Sequence, residues 1–306
     1  MRFPARMAAV FLAMACAACG NSAPADSGKP IVVSTIFAYY DAARAIGGDK
    51  VDARILLPAH KSPHDYQSTL DDKALVSKAS LFIMNGLGLD DRFVPLLGDS
   101  SATKLVISDA VPPADVLHTE EVSLGEARTA QEKNATLGNP HIWLDPAVQM
   151  KAAEAIRDAL IKMDPADKAT FEANAEKYQA SLHALDNQFQ EAVKTFKTRD
   201  FIGFHSAYEY LAHRYGLHQV ASIEEIPDAG LSMAQTQKIL QIIKDKNIHY
   251  IAVESALNGK AADKIKEEGH VQTITLQPLE TYDNASDTYV SLMQQNLAAL
   301  KTALNP

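Results

Sequence analysis

The chain has 306 residues, 47% of them apolar and 22% charged, with a formal net charge of −9. That length accommodates two ordinary domains, and the composition is that of a globular protein. The acidic balance offers nucleic acid no basic patch, and the two cysteines, Cys16 and Cys19, leave the body of the chain with neither an internal disulfide nor a thiolate ligand.

Arg2 and Arg6 precede an apolar run, Met7–Ala18, that is too short to span a bilayer as a mature helix. A charged start, an apolar middle and small residues before a cysteine read as an export signal, residues 1–19. The end of that signal is similar to a bacterial lipobox, in which Cys19, or Cys16 if cleavage falls earlier, becomes the lipidated first residue. A plain secretory signal is the alternative. Residues 20–30, rich in Gly, Ser and Pro, read as a flexible tether.

Strand and helix patterns then alternate. Ile31–Phe37 predicts a buried strand, Asp41–Ile46 a short helix closed by Gly47-Gly48, and Val51–Leu57 a second strand. The loop Pro58–Thr69 leads to a helix over Leu70–Lys78, a strand at Leu81–Asn85, a helix at Asp91–Leu97 and a strand at Leu105–Ser108. Such alternation predicts a parallel sheet with helices on its faces. Ala114–Gly138 is polar and aperiodic and reads as a loop. Asp145-Pro146 then gives an N-cap carboxylate and a proline at the first helical position, which predicts a helix over Ala147–Lys162.

Pro165–Phe196 carries an apolar stripe at steps of three and four, from Phe171 through Tyr178, Leu182 and Phe189 to Phe196. As one helix it would reach roughly 45–50 Å, which suits a strut between two domains, with a long surface helix as the alternative. The second half repeats the order of elements: strands at Asp200–Phe204, Gln219–Ile223, Ile248–Glu254 and Val271–Leu276. Helices are predicted over Met233–Lys246, with Ser232 or Asp228 as cap, and over Lys260–Glu268 and Asp287–Leu304.

Three histidines share one kind of place, a loop beyond a strand: His64, His141 after Pro140, and His205. Ligands of open α/β sheets gather at the carboxyl ends of strands, so these imidazoles could converge on one ion. Nitrogen donors suit zinc, copper, nickel or iron better than manganese. His60 lies on the loop of His64 and could assist, and His118 sits in the polar loop. His183, His213, His218, His249 and His270 read as structural or solvated.

The motifs PAHKSPHDY, NPHIWLDP, FHSAYEYLAHRYGL and AVES, with the C-terminal LQPLETYDNASDTYVSLMQQNL, resemble those of the zinc- and manganese-binding solute-binding proteins of ABC importers. The resemblance covers essentially the whole mature chain. It implies two parallel-sheet α/β lobes, residues 31–164 and 198–306, bridged by a single long helix over 165–197, with a metal site in the cleft between them. It implies His64 and His141 as ligands from the first lobe and His205 from the second. The family's fourth ligand is an aspartate, and Gln277 stands in its place here. Gln277, Glu280, Asp283 or a water would complete the shell. Three histidines favour Zn2+ over Mn2+ or Fe2+.

The implied role is an extracytoplasmic monomer that captures zinc and delivers it to a membrane permease, without catalysis. A three-histidine zinc hydrolase and a degenerate-site adhesin are the competing readings. Against the hydrolase, the chain contains neither HExxH nor GxSxG.

Overall fold

The structure is a computed structural model that describes residues 28–118, 137–223, 231–254 and 260–305. The export signal, most of the tether and residues 119–136 of the polar loop lie outside the described residues. Two four-stranded parallel sheets carry the architecture. The first holds β1 (Ile31–Ser34), β2 (Asp52–Ile55), β3 (Leu81–Met84) and β4 (Thr103–Val106) in the order β2-β1-β3-β4. The second holds β5 (Asp200–Gly203), β6 (His218–Ser222), β7 (Tyr250–Val253) and β8 (Gln272–Thr275) in the equivalent order β6-β5-β7-β8.

Alternation along these strands decides which core each residue enters. In the first sheet Val32, Leu81 and Ile83 face a central core, while Val33, Phe82 and Met84 face an outer one with α2 (Leu70–Ser77) and α3 (Val94–Leu97). In the second sheet Phe201, Ala252 and Ile274 face the same central core. Ile202 and Ile251 face an outer one with α7 (Met233–Asp245) and α8 (Lys260–Gly269).

Between the sheets lie α1 (Phe37–Gly47), α4 (Pro146–Met163), α5 (Lys168–Val193), α6 (Glu209–Tyr215) and α9 (Tyr289–Ala303). The lobes therefore share one apolar core. The strut helix α5 buries the predicted stripe, Phe171, Ala175, Tyr178, Leu182, Leu185 and Phe189. It packs on α1 and α4 from one lobe and on α6 and α9 from the other.

Several boundaries differ from the sequence reading, and the predicted helix Asp91–Leu97 is a 3-10 turn followed by a four-residue helix. β1 stops at Ser34 and α1 begins at Phe37, because a continuous apolar run fits a fully buried helix as well as a strand. β4 ends at Val106, and a 3-10 turn takes Ile107–Ala110. The strut is shorter than predicted. Pro165–Asp167 forms a 3-10 turn capped by the Asp164 carboxylate, and the α-helix of 26 residues spans about 39 Å. The cap at Asp145 forms as expected; of the two candidates for α7, Ser232 caps the helix, and Asp228 lies outside the described residues.

Polar ties fix the two halves against each other. Tyr289 N–H donates to Asp41, Arg44 donates to Asp41 and to the carbonyl of Asp287, and Arg214 reaches both Asp186 and Asp145. Trp143 Nε1 donates across the cleft to the carbonyl of Pro278. No helix among the described residues is long and apolar enough to cross a membrane.

Candidate metal centre

His141 lies where backbone and side chains leave it little freedom. Asn85 Nδ2 donates to the carbonyl of Pro140 at 2.9 Å, and Tyr39 holds Asn85 from behind. Asn139 Oδ1 accepts from both the backbone N–H and the Nδ1 of His141, at 2.9 and 2.8 Å. The amide orientation of Asn139 follows from its other end, where Nδ2 donates to the carbonyl of Ser206 and to Glu209. His141 Nδ1 therefore carries the proton, and Nε2 presents a lone pair.

His205 follows β5 and enters the turn before α6. Its Nδ1 faces Glu254 Oε1 at 2.6 Å, inside the protein. Its carbonyl is held by Gln219 Nε2, which occupies the space that a Cβ on Gly203 would need. The Glu254 acceptor assigns the proton to Nδ1 here too, so Nε2 again points a lone pair inward. His64 comes from the loop after β2 and is partly exposed.

The three Nε2 atoms meet. His141 Nε2 is 3.2 Å from that of His64 and 3.2 Å from that of His205. Glu280 closes the group, with Oε1 at 3.4 Å from His64, 3.6 Å from His141 and 3.9 Å from His205. Four zinc donors at tetrahedral positions lie about 3.3 Å apart, so the two nitrogen–nitrogen spacings already suit a tetrahedral ion and the Glu280 oxygen stands slightly farther out. All four donors fall within 4.8 Å of one another.

Two features of the cluster call for a cation. Lone pairs on His141 and His205 oppose each other at close range, which is repulsive unless a proton or a metal lies between. Glu280 Oε1 is buried without a hydrogen-bond partner. Titration follows from the same surroundings. Burial pushes His141 down, to about 3. Burial opposes the charge on Glu280, but the imidazoles of His141 and His64 outweigh it and hold this carboxyl well below the usual range. Burial would also lower His205, but Glu254 outweighs it and raises that histidine above 6.5.

The loop of Glu280 is positioned by the other lobe. Ile36 at the N-cap of α1 has no side chain to satisfy the free amides of the first turn. Those amides instead take carbonyls from the second half: Phe37 N–H donates to Glu280 O at 2.8 Å, and Ala38 N–H to Leu279 O at 3.2 Å. Leu279 adopts φ +57, and the turn directs the Glu280 side chain into the cleft.

The structure thus brings His64, His141 and His205 together as the sequence suggested, and of the four candidates for the remaining position it brings in Glu280. Gln277 lies outside the cluster, its Nε2 donating to Asp283 and its backbone N–H to Asn296. His60 pairs with Asp283 at 3.4 Å, outside the four donors. His118 is exposed, and no described contact brings it to the cluster. Sequence reasoning did not assign roles to Asn139, Asn85 or Glu254. The first stands inside the NPH motif and the last inside AVES, so their residue types were in view without their partners.

Known proteins similar to this chain are named for zinc binding and zinc uptake. The family described as zinc-uptake complex component A, periplasmic (ZnuA), matches residues 32–303. The zinc-binding lipoprotein AdcA of Streptococcus pneumoniae serotype 4 is 32% identical over 301 residues, 97% of this chain and 59% of that protein. The chain therefore spans little more than half the length of AdcA. The high-affinity zinc uptake system protein ZnuA of Bacillus subtilis is 31% identical over 308 residues, 97% of this chain and 96% of that one. The Zn(II)-bound ZnuA-like domain of Streptococcus pneumoniae AdcA superposes with a TM-score of 0.74 at 30% identity, covering 91% of this chain and all of that one. A family match over nearly the whole described chain, with relatives of this identity and coverage, makes the chain a member of the ZnuA family of zinc-uptake components.

Proposed function

We propose that this protein captures zinc outside the cytoplasm, through His64, His141, His205 and Glu280, and passes it to the permease of an ABC importer. The observation that carries the reading is the meeting of three imidazole Nε2 atoms with an unpartnered buried carboxylate oxygen. Three nitrogens and one oxygen at these spacings suit tetrahedral zinc, whereas manganese favours more oxygen donors. Two carboxylates, Glu280 at the ion and Glu254 behind His205, balance the dication's charge, and Asn139 and Glu254 fix the ring orientations.

Four protein donors complete a tetrahedron and leave no position for a reactive water, so the site binds its ion as cargo. Tethering through Cys19 or Cys16, a monomeric state, and a division into lobes 31–164 and 198–306 joined by 165–197 belong to the same reading. The AdcA and ZnuA relatives named for zinc binding and zinc uptake support the choice of ion.

The test is a competition titration of metal-stripped protein with zinc and manganese, with bound metal counted. One zinc per chain, undisplaced by excess manganese, is expected. Preference for manganese, or binding of neither, would overturn the reading. Zinc at a thousandfold excess over its Kd should also stabilise the fold by about 4 kcal/mol.

A further inference from the structure

The two loops that supply His64 and Glu280 also carry a second histidine–carboxylate pair. His60 precedes His64 on the loop after β2, and Asp283 follows Glu280 on the loop after β8. His60 Nδ1 lies 3.4 Å from Asp283 Oδ1, as His64 Nε2 lies 3.4 Å from Glu280 Oε1. The same pairing thus occurs twice across one cleft, once outside and once inside. The side chains of the outer pair are 55% and 30% exposed, and those of the inner pair 16% and 4%. His141 and His205, the remaining donors, are buried outright.

Three details say that the outer pair is held and not merely adjacent. His60 has φ +59, a conformation that non-glycine residues adopt at a cost and that recurs at functional positions. Gln277 Nε2 donates to Asp283 Oδ2, which turns Oδ1 toward His60. Asp283 N–H is anchored on Asp287 Oδ2 at 3.0 Å. One imidazole nitrogen and one carboxylate oxygen at this separation offer a hydrated divalent cation two protein donors, with water filling its other positions.

We propose that His60 and Asp283 form a transit site for zinc, which the ion occupies transiently on its way to and from the buried four-donor centre. The proposal rests on the zinc-capture reading above. Its physical basis is dehydration in stages. An ion moving directly from water to the buried centre must exchange its whole hydration shell for four protein donors. A stop at the outer pair exchanges part of that shell at the protein surface, and the remaining step is a transfer from His60 to His64 and from Asp283 to Glu280 along the same two loops. A site of this kind lowers the barrier in both directions and leaves the equilibrium affinity of the centre unchanged.

The experiment is stopped-flow zinc binding and release, with chelator-buffered zinc for association and excess chelator for dissociation. Trp143 is the reporter: it is the only tryptophan, and its ring lies 5.2 Å from that of His141. The variants are His60→Asn, which tolerates the positive φ, Asp283→Asn, and the two combined. The expected result for the double variant is a fall of about tenfold in both rates, with Kd held within about twofold of the parent. A faster release with weaker binding would instead make the pair a latch between the loops and would overturn the proposal. Unchanged rates in both directions would also overturn it. Absence of zinc binding in the parent protein would defeat the zinc-capture reading itself, which separates that failure from failure of the transit site.

Discussion

The two lobes use one sheet order to supply different chemistry. The N-terminal lobe gives neutral donors: His64, and His141 braced by the amide of Asn139. The C-terminal lobe gives the charge: Glu280 facing the three imidazoles, and Glu254 behind His205. Neither half suffices. The first has imidazoles without a counter-charge, and the second has two carboxylates with a single imidazole. In the proposed site, one lobe would shape the coordination and the other would neutralise the ion.

Removing the charge at the centre should break this division most severely. Glu280→Gln is expected to weaken zinc by about 100-fold or more, the cost of leaving one buried charge without its partner. His183→Ala, on the exposed side of the strut helix, should leave the affinity unchanged in the same chelator competition. A Glu280→Gln protein binding within threefold of the parent would mean that the C-terminal lobe does not supply the neutralising charge.

Glu254→Gln removes the second carboxylate while keeping a hydrogen-bonding group, and should cost about 10- to 100-fold in affinity. Asn139→Ala removes the neutral brace and should cost less. Should the asparagine prove the costlier loss, the lobes would differ in geometry and not in charge.

A smaller effect comes from pH. The metal-free pair raises His205 above 6.5, so at lower pH a proton holds the Nε2 that zinc needs. Affinity should therefore fall with falling pH by up to about tenfold per unit, beginning higher than an ordinary imidazole would set it, as each bound ion displaces one proton. Glu254→Gln should move the onset to lower pH, and isothermal titration in two buffers of different ionisation enthalpy would count the proton. The His205 contribution to metal-free stability has the opposite slope: a raised folded pKa gives stability that is fully present below the unfolded value and lost as pH rises through the folded one.

The least effect is expected at the ties between lobes. Arg44→Ala deletes the partner of buried Asp41 and the bond to the Asp287 carbonyl, and should lower stability by about 1–3 kcal/mol in urea denaturation. Its zinc affinity should stay close to the parent's. A large loss there would show that the relative placement of the lobes limits binding more than their chemistry does.

Much of this was legible in the chain. Strand and helix order follows from periodicity, the stripe on α5 from its three-and-four spacing, and the α4 cap from Asp145-Pro146. The three histidines were marked by a shared position beyond strands. What sequence could not decide was contact between distant segments. Gln277 occupies the position where the family resemblance implied an aspartate, yet Glu280 faces the imidazoles, because the amides of Phe37 and Ala38 set that loop in place. Ile36, placed in a strand by its apolar run, carries no capping group, and α1 takes its cap from elsewhere. The single shared core was equally hidden, since the alternation of Val32 with Val33 does not say which face meets the other lobe.

The grip on the Glu280 loop is made by main-chain atoms on both sides, amides of α1 and carbonyls of Leu279 and Glu280. Position and identity are thereby uncoupled along this segment. Mutation can change the side chain that faces the imidazoles without loosening the turn that presents it, whereas a proline at Ala38 would remove one of the gripping amides and leave every donor type intact. Such a loop is a socket: the donor can be exchanged while the seating stays as it is.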